Sequence, residues 1–174
     1  MATQVLPSGT WRMRPRTRKG VLVAHIVAAG AWIGLDVMLA VLVFTPMLTS
    51  DVALAALCYQ VLPLLTWPIL ISGLACLATG VVLGIGTHHG LVRYWWVVAK
   101  LVLNVVLTLL VLLLLRPGLD EAAQAGRLLA GDGAAPDPGN LVFPPIVSGV
   151  SLVVATVLAV YKPWGRVRRG GATR

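Results

Sequence analysis

The segment "HIVAAGAWIGLD", residues 25–36, places an imidazole, an indole and a carboxylate within a run of apolar residues. On an α-helix, which turns by about 100° per residue, His25, Trp32 and Asp36 point within about 40° of one another. A neutral imidazole can ligate a transition metal or relay protons, and a buried carboxylate needs a partner that offsets the cost of its burial. This face therefore carries the residue types of a cofactor site or of a buried polar network.

A second polar face lies further along the chain, in the apolar segment 91–115. Its members recur every three or four residues and so share one side of a helix: Arg93, Trp96, Lys100 and Asn104. At about 1.5 Å of rise per residue, Asp36 and Asn104 lie at similar depth in a bilayer, and we expect them to pair. His25 lies nearer the cytoplasmic end, where its expected neighbours are Lys100, Arg93, His88 and Thr156. The two faces together predict one site in the cytoplasmic half of a helix bundle.

The composition indicates which elements position these residues. The chain has 174 residues, of which 58% are hydrophobic and 11% are charged, a balance typical of membrane proteins. The net charge is +8, but the basic residues cluster before the first and after the last apolar run, as cytoplasmic anchors do. We therefore expect the lipid bilayer as the main partner, and no nucleic acid.

Four apolar runs are long enough to cross about 30 Å of hydrocarbon as helices. They are residues 21–44, 63–87, 91–115 and 141–161. The loop 45–62 has no Lys or Arg and the loop 116–140 has more acidic than basic residues, whereas the connection 88–93 and both tails are basic. The positive-inside rule then places both termini in the cytoplasm. The sequence predicts an all-α membrane protein: a four-helix transmembrane bundle, residues 21–161, between cytoplasmic tails, residues 1–20 and 162–174.

The two outer loops have helical patterns of their own. Residues 50–60 combine a capping residue with an apolar stripe, and residues 119–130 form a second short amphipathic pattern, so we expect two short helices at the outer interface. Prolines predict three helix boundaries: Pro46 closes the first span, Pro63 and Pro68 lie in the opening turns of the second, and Pro117 stops the third.

Two segments resemble a known family. In small bacterial membrane proteins of the HemJ and CopD type, a first-helix His is followed seven residues later by Trp and then by Gly, as His25, Trp32 and Gly34 are here. The segment "YWWVVAKLVLN" is similar to a later HemJ helix that carries a Lys in an "AKL" setting, which is Lys100 in this chain. The stretch "YKPWGR", residues 161–166, resembles the ending of small actinobacterial integral membrane proteins.

The resemblance implies a site for haem b or a porphyrin in a bacterial plasma membrane. HemJ-type proteins convert protoporphyrinogen to protoporphyrin and hold a haem b through the first-helix His, so His25 would be the haem-iron ligand. On this hypothesis Lys100 and Arg93 would pair with the propionates. Trp32 and Trp96 would pack against the ring. The implied role is electron transfer or porphyrin oxidation.

The residues leave other functions open, and they leave open whether the protein is an enzyme. One alternative is a non-enzymatic membrane partner, a homo-oligomer or a small transporter subunit, in which a buried network fixes helix register or relays protons. Its members would be His25, Asp36, Lys100 and Asn104. Copper handling, by analogy with CopD, is disfavoured because the outer loops carry only Met47 and Cys58 as soft ligands.

Overall fold

The computed structural model describes residues 13–86, 95–131 and 139–161, and these residues are helical apart from short connections. Within these ranges there are six α-helices: α1 Pro15–Leu48, α2 Val52–Val61, α3 Thr66–Ile85, α4 Trp95–Leu110, α5 Arg116–Leu129 and α6 Phe143–Tyr161. Four helical segments are long and apolar enough to cross a membrane: Pro15–Leu48, Val52–Ile85, Trp95–Leu129 and Gly139–Tyr161. The prediction of an all-helical chain with four such segments is confirmed.

Helix α1 is longer than the predicted first span at both ends. Pro15 lies in its opening turn, where the missing N–H has no helical partner to lose and the fixed φ favours the helix. The expectation that Pro46 closes this helix is wrong, because the last residue of α1 is Leu48. The residue after it, Thr49, has an extended backbone and caps the helix. A proline so close to the C-terminal end of a helix removes one backbone hydrogen bond and leaves the rest of the helix intact.

The second and third segments each join two α-helices without a break in helical structure. A 3₁₀ turn, Leu62–Leu65, links α2 to α3, and a π-helical turn, Val111–Leu115, links α4 to α5. Pro117 lies in the first turn of α5 and therefore does not stop the third helix as predicted. The wider π turn before it accommodates the missing proline N–H. At 34 and 35 residues, each segment is about 50 Å long, more than the hydrocarbon thickness.

Both outer-loop segments that were predicted to form short helices are helical, as α2 and the larger part of α5. Asp51 caps α2, since its carboxylate accepts hydrogen bonds from two backbone N–H groups of the first turn, at 2.9 and 3.1 Å. Helix α5 approaches α2 so closely that a Cβ on Gly126 would meet the Tyr59 Cβ at 2.7 Å. Gln60 Nε2 also donates to the Gly126 carbonyl oxygen at 3.2 Å. The two helices form a packed pair where the second and third segments meet.

The centre of the bundle is built around Trp32 of α1. Its side chain is 1% exposed, and its ring lies 3.2 Å from the position that a Cβ on Gly73 of α3 would occupy. Small residues let membrane helices approach closely, and here the missing Gly73 side chain makes room for an indole. Trp32 belongs to one buried core whose aliphatic members include Leu39, Val43, Leu62, Ile69, Leu107 and Leu119. This packing directs the polar face of α1 toward the other helices.

Candidate functional site: two cavities that share Trp32

Two cavities, of about 700 and 750 Å³, lie between the helices. The smaller, named here the His25 cavity, is bounded by α1, α3, α4 and α6, and its polar and aromatic lining includes Arg18, His25, Trp96, Lys100, Asn104 and Thr156. The larger, named the Asp36 cavity, has a lining that includes Asp36, Tyr59, Glu121, Asn140, Phe143 and Ser148. Trp32 and Leu107 line both cavities and so form part of the wall between them.

His25 is held against α3 through its Nδ1 atom. Nδ1 lies 2.9 Å from Thr79 Oγ1 and 3.1 Å from the carbonyl oxygen of Cys76. A carbonyl oxygen only accepts, and the Thr79 hydroxyl donates to the Ala75 carbonyl oxygen at 2.6 Å, so both contacts require a proton on Nδ1. The neutral imidazole then has its lone pair on Nε2. The ring is thereby fixed in the tautomer that can bind a metal through Nε2.

The backbone of α3 comes close to this imidazole at Gly80. A Cβ there would lie 3.3 Å from His25 Cε1 and 3.8 Å from Nδ1. The glycine therefore allows the ring to lie flat enough on α3 to reach the Cys76 carbonyl oxygen. Cys76 itself is buried with a free thiol, and its Sγ lies 3.8 Å from His25 Nδ1.

Positive charge reaches the His25 cavity from two helices. Lys100 Nζ lies 4.9 Å from the centroid of the Trp96 ring, within the range of a cation–π interaction. Lys100 is also near enough to His25 and the Cys76 thiol to act on both electrostatically. Arg18, near the start of α1, lines the same cavity. Sequence reasoning missed Arg18 because it assigned this residue to the basic tail.

Asp36 lines the other cavity and is 6% exposed. The Ser148 hydroxyl donates to Asp36 Oδ1, and Ser148 Oγ also lies 2.7 Å from the Pro144 carbonyl oxygen, to which it donates within α6. The helix backbones are close here, since a Cβ on Gly149 would lie 3.3 Å from Asp36 Oδ2. Asp36 therefore ties α1 to α6, whereas His25 ties α1 to α3.

The arrangement agrees with the sequence expectation in one part and differs in another. The structure brings six of the expected residues to one cavity: His25, Trp32, Trp96, Lys100, Asn104 and Thr156. Arg93 and His88 lie outside the described residues. The expected pair of Asp36 with Asn104 does not occur among the hydrogen bonds of the described chain, where Asp36 accepts from Ser148 and Asn104 lines the His25 cavity. Sequence reasoning did not identify Ser148 as the partner of Asp36.

The His25 cavity has the size and lining of a small-molecule pocket. Its volume of about 700 Å³ falls within the range of about 300–1,000 Å³ that such pockets occupy. Lys100 and Arg18 place positive charge beside mainly apolar walls, which suits an anionic amphiphile. In residues 13–86, 95–131 and 139–161, no three His, Cys, Asp or Glu side chains come together to hold a metal ion. Among the described residues that line the His25 cavity, the imidazole of His25 can therefore ligate a metal on its own.

A helical fold does not by itself imply a function. The side chains that line the two cavities are therefore the guide to what the cavities bind. The resemblance to HemJ and CopD proteins stays a prediction. No family model matches the chain, and neither the comparison with curated proteins nor the comparison with solved structures gives a significant match.

Proposed function

We propose that the protein binds haem b or a related porphyrin in the His25 cavity and uses it in electron transfer or porphyrin oxidation. One observation carries this proposal: the Cys76 carbonyl and the Thr79 hydroxyl both engage Nδ1–H of His25, which leaves the Nε2 lone pair for a ligand. Histidines that bind metals almost always donate their second ring N–H in this way, which fixes the tautomer and the ring orientation.

In this proposal the residues that line the His25 cavity have different roles in binding the porphyrin. His25 would hold the iron through Nε2, and Lys100 and Arg18 would pair with the propionates. Arg93, which lies outside the described residues, is a further candidate for such a pair. Trp96 offers an apolar surface beside Lys100. Bound haem would supply a one-electron centre whose potential depends on the axial ligand and on the polarity around it.

The proposed setting is a bacterial plasma membrane with both basic tails in the cytoplasm. The N-cap residue and the first turns of α1 carry four cationic side chains: Arg14, Arg16, Arg18 and Lys19. The segment 45–62, from the last turn of α1 through α2, has no Lys or Arg, which favours the outer side for it. The His25 cavity then lies in the cytoplasmic half of the bundle, and α2 and α5 lie at the outer interface.

Titration of purified protein with hemin tests this function. The unaltered chain is expected to shift the Soret band of hemin from its position in protein-free detergent, and His25→Ala is expected to lose this shift. His89→Ala is the matched control and keeps the shift, since His89 is not among the proposed ligands. Lys100→Gln removes one ion pair and should weaken hemin binding by about tenfold, or about 1.4 kcal/mol. A folded His25→Ala protein that keeps the Soret shift contradicts the assignment.

A second candidate function is favoured by the hydrogen bonds that join His25 and Asp36 of α1 to neighbouring helices. His25 joins α3 and Asp36 joins Ser148 of α6, so the same side chains would fix the register of α1 in a non-enzymatic membrane partner, a homo-oligomer or a transporter subunit. On this alternative, His25→Ala lowers the yield of folded protein, with no chromophore to lose. Loss of a chromophore at normal yield favours the porphyrin site.

A further inference from the structure

The porphyrin proposal makes no use of the Asp36 cavity, which is the larger of the two. Its walls are mainly aliphatic and aromatic, with Trp32, Tyr59 and Phe143 around a volume of about 750 Å³. Among the described residues that line it, the charged ones are Asp36 and Glu121, and both are acidic. Arg18 and Lys100 line the other cavity, and Arg116, between the lining residues Leu115 and Pro117, is exposed and is not itself part of the lining. The electrostatic character of the Asp36 cavity therefore favours a positively charged occupant.

Asp36 is placed to anchor such an occupant. It is 6% exposed and lines the cavity; Ser148 donates to its Oδ1, and its Oδ2 lies 3.3 Å from the position that a Cβ on Gly149 would occupy. A charged side chain within a membrane-spanning segment is costly unless it is paired with a group of opposite charge. Ser148 is a neutral donor, so a cation is the partner that would balance the carboxylate.

The walls also indicate how an occupant arrives. Leu114 and Phe143 line the cavity yet are 64% and 61% exposed, on surfaces that face lipid when these helices cross a membrane. An amphiphile can therefore reach the cavity sideways from the bilayer. A hydrated metal ion would need several oxygen ligands, whereas in the described part of the chain no cluster of three acidic, Cys or His side chains is present. An organic cation with an apolar body meets both conditions.

We propose that the Asp36 cavity is a binding site for lipophilic organic cations, such as protonated amphiphilic amines or phosphonium ions, with the Asp36 carboxylate as the counter-ion. The aromatic rings of Trp32 and Tyr59 line the same space and are suited to attract a cation. This site is separate from the His25 cavity, and its occupancy does not require a porphyrin.

Calorimetric titration of the full chain, as purified in non-ionic detergent, tests the proposal with two probes of similar shape. Tetraphenylphosphonium carries a positive charge, and triphenylphosphine oxide is a neutral aromatic compound. We expect saturable binding of the cation, at least tenfold tighter than that of the neutral compound. Equal binding of both, or no saturable binding of tetraphenylphosphonium, overturns the proposal.

Variants locate the site. Asp36→Asn is expected to weaken tetraphenylphosphonium binding at least tenfold, while Asp51→Asn removes the same charge at the α2 cap, outside the cavity, and leaves binding unchanged. If Asp36→Asn fails to fold, Val147→Trp decides, since Val147 lines the cavity from an exposed position on α6 and a larger side chain fills the space. Cation binding that survives in a folded Asp36→Asn or Val147→Trp protein overturns the assignment.

Discussion

Replacement of Trp32 by alanine tests the wall between the two cavities. The indole is 1% exposed and contacts Gly73, so its removal leaves a hole that joins the His25 and Asp36 cavities. Trp→Ala changes in protein cores cost about 3–5 kcal/mol. In a membrane the unfolded reference is still in lipid, so the loss is one of packing, and we expect the lower end of that range, about 3 kcal/mol. That loss corresponds to more than a hundredfold change in the folding equilibrium.

The assay is reversible unfolding in mixed micelles of non-ionic detergent and dodecyl sulfate, followed by far-ultraviolet circular dichroism. Trp32→Phe is the matched control, since it keeps a ring over Gly73 and should lose less than half as much. Gly73→Ala approaches the same contact from the other side, because the new methyl carbon lies 3.2 Å from the ring and forces it to move. A loss below about 1 kcal/mol for Trp32→Ala would refute the idea that this side chain fills the space between the helices.

The remaining predictions concern packing, hydrogen bonds and topology. Gly126→Ala should lower stability by about 1–3 kcal/mol through overpacking, whereas Gly34→Ala, with no atom within 4 Å of the new Cβ, should be neutral or slightly stabilising in the same assay. Ser148→Ala removes the donor to Asp36 and should cost about 0.6–1.7 kcal/mol; an unchanged unfolding midpoint would mean that the bond contributes nothing. Asp51→Ala removes the α2 cap and should cost about 1 kcal/mol, and a loss as large for Asp51→Asn would exclude capping as the reason. A protease site added to either basic tail should be cut in inverted vesicles and protected in intact spheroplasts, and the reverse result would overturn the proposed orientation.

Much of the fold could be predicted from the sequence because hydropathy and helical period are local properties. Runs of about 20 apolar residues located the four helices. Helix ends depended on their surroundings and were less predictable. Pro117 was expected to end a helix, but a π turn before it lets the helix continue into α5. The sequence contains a proline and a leucine run there, and neither specifies a π turn.

The inward face of α1 could be predicted for a similar reason. The spacing of His25, Trp32 and Asp36 fixes their common direction whatever the neighbours are, and all three line cavities. The partners of these residues could not be predicted. Depth alone matched Asp36 with Asn104, but the order of helices around the bundle places Ser148 of α6 next to it.

The groups that hold His25 were hidden within a pattern that predicts packing. Cys76 and Gly80 belong to a small-residue seam on α3, and such seams bring helix backbones together. Where two helices approach closely, a side chain of one can also reach a backbone carbonyl of the other. The seam on α3 therefore allows His25 to reach the Cys76 carbonyl oxygen. A threonine one position from the seam, Thr79, was a usable signal, because a hydroxyl on the same side of α3 can accept from an imidazole.

The absorption spectrum of the protein, purified from cells grown with haem supplied, tests the central claim most directly. With His25 as an axial ligand, the unaltered chain shows a Soret band both in membranes and in detergent, and folded His25→Ala shows none. A folded, unaltered protein with no Soret band in either setting contradicts the claim that this cavity holds a porphyrin.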